Sequence, residues 1–243
     1  MEHYSNLVSG GQNIYGFSIG ILMLETKFPR IPGEIGNALT WDFPVLYKVV
    51  SGASVAKVVT ESDSTLLKPF IDCANELIDA GVSAITTSCG FLAMFQKEMA
   101  ASVSVPIFTS SLIMAPLIYS MLKPEQKVGI MTFSADSLGD KHFKGVGIEN
   151  IPKVVFGMPK ESHFCRAIRE EDNFFDTEKV EKEHVEVAVN MVQKHPDIGA
   201  ILLECTNMPP YAKAIRKATN LPIFDIVSFT KFIHDAVTRE YKF

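Results

Sequence analysis

Short apolar runs alternate along the chain with longer segments whose apolar positions recur every three or four residues. The short runs predict buried β-strands, and the recurring positions predict amphipathic α-helices over residues 66–78 and 180–191. Strands that alternate with helices indicate an α/β fold with a mostly parallel sheet and helical crossovers. The predicted strands are Ile19–Leu24, Ala84–Thr87, 105–108, Lys127–Thr132, 200–203 and 221–226.

The second half of the chain repeats the first at a separation of 116 residues. A looser echo pairs Ile19-Gly20-Ile21 with Val128-Gly129-Ile130. Each half therefore predicts a strand, a strand that leads through a cysteine into a helix, and a closing strand. We expect two pseudo-symmetric lobes, each a mostly parallel sheet flanked by helices, with the active site in the cleft between them. The identical positions are Ala84, Ile85, Cys89, Lys97, Pro106, Ile107 and Phe108, which recur as Ala200, Ile201, Cys205, Lys213, Pro222, Ile223 and Phe224.

Composition narrows the class of protein. Of the 243 residues, 47% are hydrophobic, which is enough for a sizeable core. The net charge of −5 argues against a nucleic-acid partner, because phosphate binding requires a basic surface. No apolar run reaches the roughly 18 residues of a membrane span, and residues 1–13 lack the charged-then-apolar order of a signal peptide. We therefore expect a cytoplasmic protein that binds neither nucleic acid nor membranes.

The motif content favours chemistry without a cofactor. The histidines show no metal-binding spacing, and no phosphate-binding or dinucleotide-binding glycine loop is present. The sequence therefore predicts no metal site and no cofactor. The four cysteines have no Cys-x-x-Cys pair and lack the dense spacing of a disulfide framework, so we expect free thiols.

Cys89 and Cys205 occupy matching places, each at the end of a predicted strand and before a predicted helix. Ligands of parallel α/β folds bind beyond the carboxyl ends of strands. A helix N-terminus lowers the pKa of a nearby thiol, and its free N–H groups can bind a carboxylate. Two such thiols could remove a proton beside a carbonyl group and return one to the opposite face. The alternative is that both cysteines are small apolar core residues.

The stretches around these cysteines carry a family resemblance. Thr86-Thr87-Ser88-Cys89-Gly90-Phe91 and Glu204-Cys205-Thr206-Asn207-Met208-Pro209 resemble the paired motifs of the aspartate/glutamate/hydantoin racemase superfamily. The resemblance implies Cys89 and Cys205 as the catalytic acid/base pair. It also implies that the end of the chain returns to the first lobe, giving lobes of residues 14–115 plus 225–243 and 116–224. Asn207 stands where glutamate racemases have histidine, so a substrate other than free glutamate is expected.

Eight further residues are predicted to contact the substrate. Each has a simpler interpretation, because strand-end hydroxyls often satisfy local backbone groups and an arginine is often a solvated surface residue. Thr206 and Asn207 are also candidate N-caps of the second helix. The predicted substrate-binding residues are Arg30, Thr87, Ser88, Gly90, Phe91, Thr132, Thr206 and Asn207.

Three functions are compatible with these motifs. The favoured hypothesis is an isomerase, a cofactor-independent racemase or epimerase that inverts a carbon next to a carboxyl or carbonyl group by two-thiol acid/base catalysis. The alternatives are a maleate-type cis–trans isomerase with a cysteine nucleophile, and a non-catalytic two-lobed small-molecule sensor. The expected partner is a small carboxylate or hydantoin-like substrate, and a homo-oligomer is expected because dimers are the commonest symmetric state.

Overall fold

The computed structural model describes residues 10–238, and these form two four-stranded sheets. Residues 1–9, part of the segment used to argue against a signal peptide, and residues 239–243, the end of the predicted first lobe, lie outside the described chain. The strands are β1 (Ile19–Leu24), β2 (Val45–Val50), β3 (Ala84–Thr87), β4 (Ile107–Phe108), β5 (Lys127–Thr132), β6 (Lys153–Gly157), β7 (Ile198–Leu203) and β8 (Ile223–Phe224).

The two sheets repeat one topology. The first has the strand order β2-β1-β3-β4 and the second has the order β6-β5-β7-β8, and every pairing is parallel. The inner strands β1, β3 and β7 are buried along their whole length. This burial explains why β1 and β7 contain only apolar residues and glycine. The predicted fold class of two pseudo-symmetric α/β lobes is therefore confirmed.

Helices connect the strands and cover the sheets. The two helices predicted from periodicity are α1 and α6, and the buried stripe of α6 consists of the predicted positions 180, 184, 187, 188 and 191. The helices are α1 (Leu67–Asp79), α2 (Gln96–Ser102), α3 (Ala115–Ser120), α4 (Asp140–Val146), α5 (His163–Glu170), α6 (Thr177–Lys194), α7 (Ala212–Thr219) and α8 (Ile226–Thr238). Short 3-10 turns also occur, including Gly90–Phe95 and Pro209–Tyr211.

Matching glycines bring a helix close to the inner strand of each lobe. A Cβ atom on Gly20 of β1 would lie 2.9 Å from Cδ1 of Leu77 on α1. A Cβ atom on Gly129 of β5 would lie 2.9 Å from Cε of Met191 on α6. Both distances are shorter than real side chains allow, so the echo between these glycines in the sequence has a packing cause.

The final helix packs on the first lobe. Phe229 of α8 meets Phe108 of β4 edge to face, with ring centroids 4.9 Å apart. His234 stacks on Phe43, and its Nδ1 lies 2.7 Å from the hydroxyl of Ser18. These contacts agree with a chain that returns to its first lobe, and the precise lobe boundaries stay a prediction.

The edge strands β2 and β6 were not predicted, and the strands predicted over 105–108 and 221–226 are each only two residues long. Most residues of β2 and β6 are only half-buried. The strand predicted over 221–226 ends at Phe224, because Asp225 starts α8 by accepting a hydrogen bond from the N–H of Ser228 at 2.8 Å. Within residues 10–238, no helix combines the length and hydropathy needed to cross a membrane.

Candidate active site

Cys89 follows β3 at the edge of the first sheet. The preceding Ser88 fixes this strand end, because its Oγ accepts a hydrogen bond from the N–H of Leu24 at 2.9 Å and its N–H donates to the carbonyl of Leu22 at 2.8 Å. Cys89 has an extended backbone and leads into the 3-10 turn Gly90–Phe95. Cys89 therefore lies between the end of a strand and the start of a helical turn, as the sequence predicted.

Cys205 has the matching place after β7. The N–H of Glu204 donates to the carbonyl of Met131 at 2.8 Å, which ties this strand end to β5. Pro209 and Pro210 occupy the first two positions of the 3-10 turn Pro209–Tyr211. Neither Thr206 nor Asn207 is the N-cap, because Met208 occupies that position. The hydroxyl of Thr206 instead donates to the carbonyl of Ser88 in the other lobe at 2.6 Å.

Both cysteines line one small cavity between the lobes, and each is 8% exposed. The cavity leaves about 30 Å³ open to the centres of water molecules, and one water needs roughly 10–15 Å³ by that measure. By that measure the cavity has room for about two or three water molecules. Its lining residues are Leu24, Thr26, Phe28, Arg30, Val55, Val59, Ser88, Cys89, Gly90, Phe91, Phe133, Ile168, Cys205, Thr206 and Asn207.

The electrostatics of the two thiols differ from the expectation. Burial raises the pKa of Cys89 to about 12, the charge of Glu204 adds to this rise, and the N–H of Phe91 and the charge of Arg30 oppose it. Burial also raises the pKa of Cys205 well above its ordinary value, although the hydrogen bond from the N–H of Asn207 lowers it. The N–H groups that were predicted to lower the thiol pKa are present, but desolvation outweighs them.

Arg30 lies between the lobes with its guanidinium group partly buried. Its Nη1 donates to Glu34 and, at 3.3 Å, to Oδ1 of Asn207, while its Nη2 donates to Oγ1 of Thr26 at 2.8 Å. The guanidinium carbon lies 4.6 Å from the centre of the Phe28 ring. The simpler interpretation of Arg30 as a solvated surface residue is therefore wrong.

Six of the eight predicted substrate-binding residues line the cavity and two do not. Thr87 and Thr132 are completely buried behind it. The hydroxyl of Thr87 donates to the carbonyl of Thr109 at 2.8 Å, and that of Thr132 donates to Oε2 of Glu204 at 2.6 Å. The prediction of direct contact is wrong for both threonines, because each hydroxyl is engaged inside the protein. The six that line the cavity are Arg30, Ser88, Gly90, Phe91, Thr206 and Asn207.

Sequence reasoning did not single out Glu204 or the aromatic residues Phe28 and Phe133. Glu204 is completely buried at the end of an otherwise apolar strand, and burial raises its pKa to about 7. A carboxylate directly after six buried apolar or small residues is a signal that could have identified it. Among residues 10–238, no group of three or more His, Cys, Asp and Glu side chains has an arrangement suited to a metal ion.

The glycine after Cys89 is required by the approach of the other lobe. A Cβ atom on Gly90 would lie 2.3 Å from Oε1 and 2.4 Å from the carbonyl oxygen of Glu204. We expect Gly90→Ala to reduce the free energy of unfolding by about 1–3 kcal/mol, as overpacking does, and to lower activity because both cysteine loops must move. Urea unfolding and activity assays measure the two effects.

Gly139→Ala is the matched control, because a Cβ atom there meets nothing within 4 Å. We expect that control to change stability by less than about 1 kcal/mol. Equal stability of the two variants would contradict the close approach of Gly90 and Glu204.

No protein-family model matches the chain. A dimethylsulfoniopropionate lyase of Durusdinium sp. clade D is 33% identical over 233 residues, which cover 93% of this chain and 77% of that protein. The chain belongs to the dimethylsulfoniopropionate lyase family. Dimethylsulfoniopropionate lyase 3 of Emiliania huxleyi strain CCMP1516 is 30% identical over 221 residues, which are 87% of this chain and 57% of that protein. The chain thus spans little more than half the length of this second relative.

Solved structures share the fold at low identity. Unliganded arylmalonate decarboxylase superposes with a TM-score of 0.58 at 14% identity, covering 91% of this chain and 92% of that one. An aspartate racemase homologue from Pyrococcus horikoshii OT3 has a TM-score of 0.58 at 16% identity, covering 91% and 99%. The fold implied by the resemblance of the cysteine motifs is therefore confirmed. The family relation supports the prediction of an enzyme, whereas the isomerase class is not confirmed because the relatives are named lyases.

Proposed function

We propose that this protein is a lyase that acts on dimethylsulfoniopropionate or a similar small carboxylate with a sulfonium group on its β-carbon. The observation that carries the proposal is the 33% identity to a lyase named for this substrate, over 93% of a chain whose two cysteines line one cavity. Both parts are needed, because the relationship suggests the substrate and the cavity supplies groups for its chemistry.

The reaction is an elimination across two carbon atoms. A cysteine thiolate takes the proton from the carbon next to the carboxylate, the two carbons form a double bond, and the bond from carbon to sulfur breaks. The electron pair of that bond leaves with the sulfur. The products are neutral dimethyl sulfide, acrylate and a protonated cysteine, which returns its proton to solvent. Neither oxidant nor reductant is consumed.

The charge balance of the cavity favours a substrate with a cationic group. Two buried thiols and the buried Glu204 all have raised pKa values, so negative charge is costly there without a partner. A sulfonium cation beside a thiol lowers the pKa of that thiol and thereby helps to form the base when substrate binds. The rings of Phe28, Phe91 and Phe133 line the same cavity, and aromatic side chains commonly recognise such cations.

Arg30 is the candidate partner of the substrate carboxylate. It is a cavity-lining cation, and a guanidinium group has five donors in a planar fork that fits a carboxylate. Its charge also acts on Cys89 and lowers the pKa of that thiol relative to burial alone. Cys205 instead faces the added repulsion of Cys89 and Cys165. Cys89 is therefore proposed as the base.

The test is proton NMR of the full chain with dimethylsulfoniopropionate in deuterated water. We expect the vinyl signals of acrylate and the methyl signal of dimethyl sulfide to grow in equal molar amounts. Their absence at high enzyme concentration would overturn the proposal. The same spectra report exchange at the carbon next to the carboxylate, so proton removal without elimination is also visible.

Racemisation is the second candidate, because each thiol has its own N–H donor, from Phe91 and Asn207 respectively. Two equivalent thiols on one cavity suit proton removal from one face and return to the other. A panel of aspartate, glutamate, 5-substituted hydantoins, allantoin and an arylmalonate distinguishes the two functions. Loss of an α-proton signal there, with no acrylate from the sulfonium substrate, would favour the racemase. Cytoplasmic location and homo-oligomerisation stay predictions.

A further inference from the structure

Glu204 lies between the segment that follows Cys89 and the segment that begins with Cys205, and one oxygen of its carboxyl group has no hydrogen-bond partner among the described residues. Its side chain is completely buried, and Oε2 accepts the hydrogen bond from Thr132 at 2.6 Å. Oε1 is buried with no hydrogen-bond partner among the described residues. Because a Cβ atom on Gly90 would lie 2.3 Å from Oε1, this oxygen faces the peptide that follows Cys89. The carboxyl group is thus one residue from Cys205 along the chain and against the Cys89 loop in space.

An ionised carboxylate in this position is expensive. A buried charge requires a partner and hydrogen bonds to its lone pairs, and Oε1 has neither. Burial raises the pKa of Glu204 to about 7, and the Thr132 hydroxyl opposes this rise. The carboxylate in turn raises the pKa of both thiols. Glu204 and the two cysteines therefore compete for negative charge.

The groups around this cluster do not relieve the competition. Arg30 acts on Cys89 from the first loop, but it is already paired with Glu34. Cys165 adds repulsion on Cys205. His142 of α4 packs edge to face on Phe91, and burial lowers its pKa to about 4, so it is neutral at physiological pH.

We infer that Glu204 is a positioning residue whose protonated form is required for turnover, because a neutral carboxyl group leaves the single negative charge of the cluster to a cysteine. The inference rests on the proposed function in so far as a thiolate is the base. The direction with pH follows from the carboxyl group. The form with a neutral Glu204 and one thiolate has as many protons as the form with an ionised Glu204 and two neutral thiols. Activity therefore rises with pH to about 7 and is then level, although each thiol by itself would ionise further at high pH.

The decisive test needs no substrate. Iodoacetamide alkylation of Cys89 and Cys205 is followed by mass spectrometry as a function of pH in the wild type and in Glu204→Gln. Removal of the like charge is expected to lower the thiol pKa values by about one unit, so the variant is alkylated about tenfold faster near pH 8. Equal rates at every pH would overturn the inference.

Asp225→Asn is the matched control. Asp225 is a carboxyl group that is 8% exposed, and burial raises its pKa, but it lies at the start of α8 with Ser228 as its partner. We expect its loss to leave both alkylation profiles unchanged. Acceleration equal to that of Glu204→Gln would overturn the inference, because the effect would then not depend on the charge between the cysteines.

Thr132→Val tests the same idea without removing the carboxyl group. The substitution removes the hydrogen bond that stabilises the ionised form, so Glu204 stays neutral to higher pH. The pH at which kcat/KM for acrylate formation levels off is expected to move upward in Thr132→Val, whereas in Glu204→Gln the rate keeps rising with pH as the thiol ionises. A levelling-off that stays in place or moves downward in Thr132→Val would overturn the inference. Faster alkylation in Glu204→Gln together with no acrylate from any variant would support the inference and overturn the proposed lyase function.

Discussion

Replacing Cys89 by serine is expected to reduce the rate of acrylate formation by about 10²–10⁴-fold, the usual contribution of a positioned base. Serine preserves the size of the side chain but ionises far less readily than a thiol. Cys89 is the proposed base because the charge of Arg30 opposes the rise of its pKa on burial. The measurement is the initial rate of dimethyl sulfide release by headspace gas chromatography, with the unfolding midpoint checked in parallel.

The partner cysteine separates elimination from racemisation. In the elimination the sulfide leaves as a neutral molecule and needs no proton, so Cys205 does not have to act as an acid. Cys205→Ser is therefore expected to lower the rate by about tenfold or less, the value of one hydrogen bond. Cys73→Ser, on α1 away from the cavity, should leave the rate unchanged and serves as the control. Equal and complete losses in both cavity variants would contradict Cys89 as the sole base and favour two-thiol chemistry.

The inner strands and the edge strands β4 and β8 were predictable from the sequence, and the edge strands β2 and β6 were not. The strands β1 and β7 are buried throughout, so burial on both faces selects an uninterrupted run of apolar residues and glycine. In β2 most side chains are half-buried and include Tyr47 and Lys48, so the strand is not an uninterrupted apolar run. The Nε1–H of Trp41 donates to the Tyr47 hydroxyl at 2.9 Å, a contact that no local pattern reveals.

The site shows the same division. Cys89 and Cys205 were found because the repeat placed one reactive residue type at two matching strand ends. Glu204 was missed because its counterpart in the repeat is Ser88, so the repeat gives no matching carboxylate. The direction of a strand-end side chain also depends on the other lobe. Thr132 turns towards Glu204 rather than the cavity, and that contact joins residues 72 positions apart.

Replacing Arg30 by methionine is expected to lower the free energy of unfolding by about 3–5 kcal/mol, the usual result of removing one partner of a buried ion pair. The side chains of Arg30 and Glu34 are only 14% and 3% exposed, so the variant leaves a buried carboxyl group without its cation. The Asn207 and Thr26 contacts are lost as well. Urea unfolding at neutral pH measures this loss.

The role of Arg30 towards the substrate is separable from its role in stability. Arg30→Met/Glu34→Gln removes both charges. It keeps a side-chain oxygen at position 34 that can accept the hydrogen bond from the N–H of Gly36, which in the wild type goes to Oε2 of Glu34 at 2.8 Å. We expect this double variant to regain most of the stability lost in Arg30→Met. Its KM for dimethylsulfoniopropionate should still be raised about tenfold or more, because a hydrogen bond to a charged group contributes about 1.5–3 kcal/mol. Glu34→Gln alone is the control for the altered loop. A wild-type KM in the stable double variant would show that Arg30 holds the loop and not the substrate, and the carboxylate would then have to bind at the N–H groups of Phe91 and Asn207.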